Sequence, residues 1–241
     1  MTREVLTVCL TPVERGSLRH AIAAAMAPFD RNSEDEDRAS GEWDHWWLGS
    51  PRAQFWIRPG CEDDPRLIHD IEPSRAGQSS TAAPGRCCGG PLELLDIARQ
   101  RSLADGESDQ LWKTWESISA VFPPARSLTA FLAEDPDATI QHAGRAWQRY
   151  AAQPLIRALL DDHELYAAFG DWTEADGAPI DRDRFRRRTS DESLACDALL
   201  TLDGRWLAPP SPSERDYARH YCVAIEDLPA DTVLVNVTYH C

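Results

Sequence analysis

The run at positions 232–240, Thr-Val-Leu-Val-Asn-Val-Thr-Tyr-His, constrains the fold more than any other feature. β-Branched and aromatic residues favour strands, and a strand that is apolar at successive positions has no polar face to turn to water. We therefore expect an interior strand with neighbours on both sides. Its predicted neighbours are residues 4–10, where Val and Leu alternate with Thr and Cys, and residues 198–207, a predicted hairpin turning at Asp203-Gly204. The two ends of the chain are thus predicted to form one sheet.

Helices are predicted beside these strands at both ends of the chain. One begins after Ser17, a residue type that caps helices, covers residues 18–27 and stops at Pro28. The other covers residues 213 to about 226. This order of strand, helix and strand predicts an α+β fold, with two ferredoxin-like β-α-β halves from the two chain ends. A large helical insertion would separate the halves.

Composition sets the predicted domain boundaries in this chain of 241 residues. Residues 1–71 would form the N-terminal half of the α+β domain, and residues 196–241 its C-terminal half. Residues 72–90 contain much Ser, Thr, Ala, Gly and Pro, which predicts a loop or linker. Residues 91–195 would form the helical insertion, with Pro91 at the first position of its first helix.

The charge balance argues against partners that carry many phosphates. Asp plus Glu number 40 against 25 Lys plus Arg, so the net charge is −15, and attraction to nucleic acid or an anionic membrane is not expected. The one basic run, residues 181–188, interleaves five Arg with two Asp. This pattern favours a solvated helix face with ion pairs, while a contact to an anion or a partner stays open.

Several features predict a cytoplasmic protein. No stretch approaches the roughly 20 apolar residues of a membrane span, and the first ten residues lack the features of a signal peptide. The seven cysteines, an odd number, are expected to be mostly reduced thiols.

Residues 41–56 hold four of the nine tryptophans. A cluster this dense is either the centre of a core or the wall of a binding cleft, and the sequence leaves both open. A turn at Gly49-Ser50-Pro51 would divide the segment into two strands. The candidate ligand-binding residues are Trp43, Trp46, Trp47, Trp56 and Trp206.

Polar residues near these tryptophans are the candidates for chemistry. An acid/base pair in an apolar cleft could use Asp44 or His45, although strand alternation places the two on opposite faces. Alternation also predicts that His45 shares a face with Trp43 and Trp47. The guanidinium of Arg52 offers five donors and a stacking plane to an anion. The candidate catalytic residues are Asp44, Arg52, Asp203 and His240.

The segment Cys87-Cys88-Gly89-Gly90 has two interpretations. At a helix start, a lowered thiol pKa would give a reactive thiolate; the alternative is a turn with a buried thiol. Neither a C-x2-C pair nor the His spacing of a zinc site is present, so no metal and no cofactor are expected. The chain also lacks G-x-S-x-G, Walker A and G-x-G-x-x-G motifs, which argues against α/β serine hydrolases, P-loop NTPases and classical dinucleotide enzymes.

Four elements of the chain together resemble a known group of proteins. They are Trp43-Asp44 to Arg52, Cys87 to Pro91, Leu202-Asp203-Gly204-Arg205-Trp206, and Leu228-Pro229-Ala230-Asp231-Thr232-Val233 through His240. Through these elements, the chain is similar to uncharacterised proteins of actinobacteria, especially Streptomyces, and of their phages. The similarity covers both ends of the chain and one point in its middle. Two elements depart from that pattern: Gly49-Ser50-Pro51-Arg52 replaces a Gly-Gly-Arg-Trp turn, and residues 208–212 replace a Gly- and Trp-rich stretch. The group has no assigned activity, so the resemblance implies the domain plan and no reaction.

Three functions stay open at this point. The leading one is binding of a small-molecule ligand or a protein partner through a Trp-rich sheet face. The second is an enzyme that processes a small molecule or nucleotide in a cleft formed by the four candidate catalytic residues. The third is an acidic decoy that occupies the basic surface of a nucleic-acid-binding protein.

Overall fold

The computed structural model describes residues 3–33, 42–72, 80–134, 140–179, 181–209 and 216–241. Contacts divide the chain into two compact units. The first contains the residues up to Ser102 and those from Asp191 onward, and the second contains Leu103–Ser190. The sequence-based boundaries, with an insertion at 91–195, stay a prediction.

The described residues form ten strands and eight α-helices. The strands are β1 (Arg3–Leu10), β2 (His45–Leu48), β3 (Phe55–Trp56), β4 (Asp70–Ile71), β5 (Ser80–Thr81), β6 (Arg86–Cys87), β7 (Gly89–Pro91), β8 (Ala198–Leu200), β9 (Trp206–Leu207) and β10 (Val233–His240). The helices are α1 (Leu18–Met26), α2 (Ile97–Ser119), α3 (Leu128–Leu132), α4 (Ile140–Ala151), α5 (Pro154–Leu160), α6 (His163–Asp176), α7 (Arg182–Glu192) and α8 (Tyr217–Glu226). These elements confirm the α+β class.

The main sheet of the first unit has the order β2-β10-β1-β8-β9, and β7 also pairs with β10. As predicted, both ends of the chain contribute to this sheet and β10 lies in its interior. The segments β1, α1 and β2 form a split β-α-β unit, because β1 and β2 are both antiparallel to the β10 strand between them. The other half departs from the ferredoxin-like expectation, since β8 runs parallel to β1 and makes the sheet mixed.

The expectation that β10 pairs with residues 198–207 is wrong. The strand β1 separates β10 from β8, pairing antiparallel with the first and parallel with the second. Residues 5–10 of β1 are all buried, so β1 also needs a neighbour on each side and takes the centre of the sheet.

Both faces of β10 are covered, which explains why its apolar residues do not alternate with exposed polar ones. Val233, Val235 and Val237 pack into one core cluster, together with the buried residues of α1. Leu234 packs into a second cluster that includes Tyr221 of α8. Successive side chains of a strand point to opposite faces, so each face of β10 has its own core.

The predictions for the first helix and the hairpin are confirmed. Leu18, Ile22 and Met26, four residues apart, are the buried residues of α1, which puts them on one face. The hairpin β8–β9 turns at Gly204, whose φ of 79° lies in the region that favours glycine.

The predicted helix start at Pro91 is wrong. Pro91 ends β7, a 3-10 turn covers Leu92–Leu94, and α2 begins only at Ile97. The cause is the close approach of Gly89 to β10, where a Cβ atom would lie 2.2 Å from the carbonyl oxygen of Leu234. Only glycine permits that approach, so this part of the predicted linker pairs with the sheet instead.

The second unit packs its helices around aromatic side chains. Its core includes Trp112, Trp115 and Phe169, and the ring centroids of the last two lie 4.9 Å apart. On α7, the guanidinium groups of the basic run pair with carboxylates of other helices: Arg182 with Asp109 at 3.0 Å, Arg186 with Asp105 at 2.8 Å and Arg188 with Asp171 at 3.2 Å. The ion-pair interpretation of residues 181–188 is thus the one that the structure supports. Within the described residues, no helix has the length and apolar character needed to cross a membrane.

Candidate functional site

The predicted tryptophans divide between the core and the surface. Trp43 and Trp46 are buried in the cluster that contains α1, and the indole N–H of Trp43 donates to the carbonyl of Met26 at 3.0 Å. Trp47, Trp56 and Trp206 are partly exposed. The core interpretation therefore holds for Trp43 and Trp46, while the cleft interpretation stays a prediction for the other three.

The face predicted for Trp43 is wrong. Strand β2 begins at His45, so the alternation on which the prediction rested does not extend back to Trp43. His45 and Trp47 do share a face, with ring centroids 4.6 Å apart. The cation beside Trp47 is Arg3, whose guanidinium carbon lies 5.8 Å from the ring centroid.

Of the four candidate catalytic residues, Asp44 and His240 are in direct contact. The Nδ1 atom of His240 lies 2.7 Å from Oδ1 of Asp44, and the backbone N–H of Asp44 donates to the carbonyl of His240 at 3.0 Å. A carboxylate on Nδ1 orients an imidazole ring. However, Nε2 of His240 is buried and has no hydrogen-bond partner among the described residues, so it is enclosed in this conformation.

Asp203 and Arg52 have other partners. The carboxylate of Asp203 accepts a hydrogen bond from the Thr201 hydroxyl and pairs with Arg205 in the β8–β9 turn, and both contacts lower its pKa. The Nη1 of Arg52 donates to the carbonyl of Arg3 at 2.8 Å. These contacts do not place the four residues in a common cleft.

A polar pocket of about 280 Å³ lies in the first unit, on the face of β10 that carries Asn236. It is lined by the segments Arg52–Phe55 and Glu192–Cys196 together with Arg86, Gln100 and Asn236. Its lining residues therefore include two arginines, one glutamate and three residues with side-chain amides. Of the residues predicted as sites, Arg52 lines this pocket.

The side chain of Asn236 is held in one orientation by a buried hydrogen-bond chain. The Tyr221 hydroxyl donates to Thr7 Oγ1 at 2.5 Å, and the Thr7 hydroxyl donates to Asn236 Oδ1 at 2.7 Å. The Nδ2 of Asn236 donates to the carbonyl of Ala53 at 3.1 Å. Thr7, Tyr221 and Asn236 are 0%, 0% and 1% exposed, so water cannot replace these partners.

Arg86 is positioned by Trp56, the residue opposite it on β3. Its guanidinium carbon lies 4.1 Å from the centroid of the Trp56 ring, and that of Arg99 lies 4.0 Å from the same ring. Cation–π contacts of this kind favour a cation over the ring face. Trp56 therefore holds a pocket-lining cation in place.

Gln100, near the start of α2, is another lining residue of the pocket. Its Nε2 donates to the carbonyl of Ser193, which directs the amide oxygen the other way. That oxygen is buried and has no hydrogen-bond partner in the described part of the chain. The Gln100 oxygen is therefore enclosed in this conformation, as Nε2 of His240 is.

The cysteines of the Cys87-Cys88 segment are buried rather than reactive. Both are 0% exposed, and burial raises the pKa of Cys87 to about 12 and also raises that of Cys88. The thiols are thus buried, as the second interpretation has it, but they lie at the junction of β6 and β7 rather than in a turn. No group of three or more His, Cys, Asp and Glu side chains that could hold a metal ion occurs in the described ranges.

A second pocket, of about 430 Å³, lies beside the start of α1 and is lined mainly by apolar residues such as Leu18, Ile68 and Val233. Its two arginines are already paired: Arg15 with Asp70 at 2.8 Å, and Arg66 with Asp64 and Glu93. The polar pocket holds more groups that can orient a ligand.

Sequence reasoning missed most of the polar pocket. A usable signal was Asn236, an amide within an apolar interior strand, because a buried amide requires partners. Comparisons with protein families, with curated proteins and with solved structures return no match.

Proposed function

We propose that the protein binds a small polar ligand in the polar pocket, and that the ligand carries a carboxylate or another anionic group. The observation that carries this proposal is that two arginines, Arg52 and Arg86, line one small pocket of a chain with a net charge of −15. Guanidinium groups match the geometry of carboxylates and phosphates.

The environment of each arginine supports this proposal. Stacking on Trp56 leaves the edge donors of Arg86 available to a ligand. Among the described residues, the carboxylate paired with Arg52 is that of Asp197 at 4.0 Å, and both side chains are well exposed. An ion pair with that geometry is weak, so a ligand anion can compete for Arg52.

The size of the pocket restricts the ligand. Pockets for drug-sized molecules have volumes of roughly 300 to 1,000 Å³, and this one, at about 280 Å³, is slightly smaller. We therefore propose a metabolite-sized ligand rather than a peptide or a nucleic acid.

Ligand binding is preferred to the enzymatic alternative because of the surroundings of His240. A general base needs its accepting atom within reach of a substrate, and Nε2 of His240 is enclosed. The decoy alternative rests on the acidic charge alone. The expected partner is therefore a small molecule.

The experiment measures ligand binding by thermal shift and by isothermal titration calorimetry. The panel contains carboxylates, amino acids, phosphorylated metabolites and nucleotides. We expect Arg52→Ala to weaken the ligand by at least about tenfold, because a charge-assisted hydrogen bond contributes roughly 1.5–3 kcal/mol. The matched control is Arg187→Ala, which removes an exposed arginine of α7. The proposal fails if the parent protein binds no anion of the panel or if the two variants bind equally.

We also propose a cytoplasmic location and a relationship to the actinobacterial and phage proteins described above. The location is supported by the seven cysteines, all of which are free thiols, as expected for a reducing compartment. The relationship rests on the four sequence elements alone.

A further inference from the structure

We infer that the anionic group of the ligand is a phosphoryl group, and that Arg86 and Arg99 bind it together across the ring of Trp56. This inference rests on the proposed function. It names the anion, and it adds Arg99 to a site whose pocket already includes Arg52 and Arg86.

Trp56 brings the two arginines together. It lies opposite Arg86 in the β3–β6 pair, and its carbonyl accepts a hydrogen bond from the backbone N–H of Asp96 at 2.8 Å. That bond holds the start of α2 beside β3, and Arg99 lies in the first turn of this helix. The guanidinium carbons of Arg86 and Arg99 lie 4.1 and 4.0 Å from the ring centroid of Trp56, so they are at most about 8 Å apart.

These two guanidinium groups have no counter-ion within the described part of the chain. No carboxylate there lies within ion-pair distance of either one, whereas Arg15 and Arg66, for example, are paired with carboxylates. The acidic residue nearest in sequence, Asp96, accepts the backbone N–H of Arg99 at 2.9 Å and so caps the helix. Two like charges that share one ring repel each other, and an anion bound by both offsets that repulsion.

A phosphoryl group fits two guanidinium groups better than a carboxylate does. One guanidinium in a bidentate pair already engages both oxygens of a carboxylate. A phosphate monoester carries a charge of about −1.5 to −2 and three strong acceptor oxygens, enough for Arg86 and Arg99 together. Stacking on Trp56 uses the faces of the guanidinium planes and leaves the N–H groups at their edges for the anion.

The phosphoryl site is continuous with the polar pocket. Arg99 is exposed and Arg86 is half-buried, so a phosphate can reach both from solvent. Arg86 also lines the pocket, as does Gln100, the residue after Arg99. The phosphoryl group would therefore lie at the Arg86 end of the pocket, with the rest of a small metabolite directed toward Arg52.

The experiment compares matched probes by isothermal titration calorimetry on the full chain. The probes are hexose phosphates, glycerol phosphate and nucleoside monophosphates, each measured beside its unphosphorylated parent, and the sugar acids that carry a carboxylate in place of the phosphate. We expect at least one phosphate monoester to bind, its parent not to bind measurably, and the matched acid to bind at least about tenfold more weakly, because it loses the charge-assisted bonds to one arginine. A carboxylate that binds as tightly as the matched phosphate, or binds where no phosphate does, would overturn the phosphoryl assignment and leave the proposed anion site standing. No binding by any anion would overturn both.

Variants test the role of Arg99, which does not line the pocket itself. Arg99→Ala should weaken the phosphate monoester by at least about tenfold and leave binding of a carboxylate within about twofold. Arg99→Lys, which keeps the charge and loses the planar fork, should recover only part of the affinity. The matched control is Arg145→Ala, which removes an exposed arginine of α4 and should change neither. Unchanged phosphate binding in Arg99→Ala, or an equal loss for the carboxylate, would contradict the two-arginine site.

Discussion

Thr7 is the residue on which the buried chain Tyr221–Thr7–Asn236 depends, because its hydroxyl both accepts and donates. It accepts from Tyr221 at 2.5 Å and donates to Asn236 at 2.7 Å. Replacing it by valine keeps the shape of the side chain and removes both hydrogen bonds. Two buried polar atoms would then lose a partner.

The expected cost follows from those two atoms. Each buried group left without a partner costs about 1–3 kcal/mol, and the added methyl group recovers about 0.8 kcal/mol. We therefore expect Thr7→Val to lower the free energy of unfolding by about 1–5 kcal/mol. Thr7→Ser, which keeps the hydroxyl, should lose roughly half as much or less.

A double-mutant cycle with Tyr221→Phe separates the shared hydrogen bond from the rest. Tyr221→Phe alone should cost about 1 kcal/mol, because Thr7 still donates to Asn236. In the double variant there is no Tyr221 hydroxyl for Thr7→Val to leave unpaired. The combined cost should therefore be smaller than the sum of the two single-variant costs by about 1 kcal/mol or more. Urea denaturation followed by tryptophan fluorescence measures all of these values. A cost below about 0.5 kcal/mol for Thr7→Val, or additivity within that margin, would refute the reasoning.

Two further predictions concern backbone geometry and pH. Gly49→Ala should lower the free energy of unfolding by more than about 2 kcal/mol in urea denaturation, because φ is 76° and the new Cβ would lie 2.6 Å from the carbonyl of Asp70. The matched control is Gly60→Ala, where φ is 83° and no atom lies within 4 Å of the new Cβ. It should cost only about 1 kcal/mol. Equal costs would show that the close contact does not matter. Burial raises the pKa of Cys9 and of Cys87 from 9.0 to about 12. The folded state therefore holds these protons more tightly than the unfolded state does, and the stability that the two thiols contribute is fully present below pH 9. Above pH 9 each thiol should remove about 1.4 kcal/mol per pH unit toward pH 12; a Cys87→Ala variant with the same alkaline slope as the parent would contradict this contribution.

The elements that could be predicted from the sequence are those with a strong local pattern. The β10 run, the α1 helix and the β8–β9 hairpin each carry their own periodicity or turn residues. The predicted helix start at Pro91 was wrong because a Pro at the first position of a helix and a Pro at the end of a strand look the same in sequence. The deciding fact was the contact between Gly89 and the backbone of β10, which is a tertiary contact without a local signal.

The polar pocket could not be predicted for a different reason. Its lining residues come from separate segments, and none of them is unusual where it stands. Gln100 and Glu192 look like ordinary surface residues of charged helices, yet the hydrogen bond to Ser193 orients the Gln100 amide and leaves its oxygen buried. Arg52 was found because it follows a turn next to the tryptophans, although its observed neighbours are Arg3 and Asp197 rather than those rings.

The pair Thr7 and Asn236 connects the fold to the site. The two residues are directly opposite each other in the antiparallel pairing of β1 with β10, and both are buried among apolar neighbours. A shift of the pairing by one residue would place Asn236 opposite Leu6 or Val8, which point to the other face and have no polar atom to offer. The amide would then be buried without its partner, so this hydrogen bond favours the observed register of the sheet and also fixes the orientation of the Asn236 amide. A polar group in an interior strand therefore specifies two things at once: the alignment of the two ends of the chain and the orientation of one wall of the proposed site.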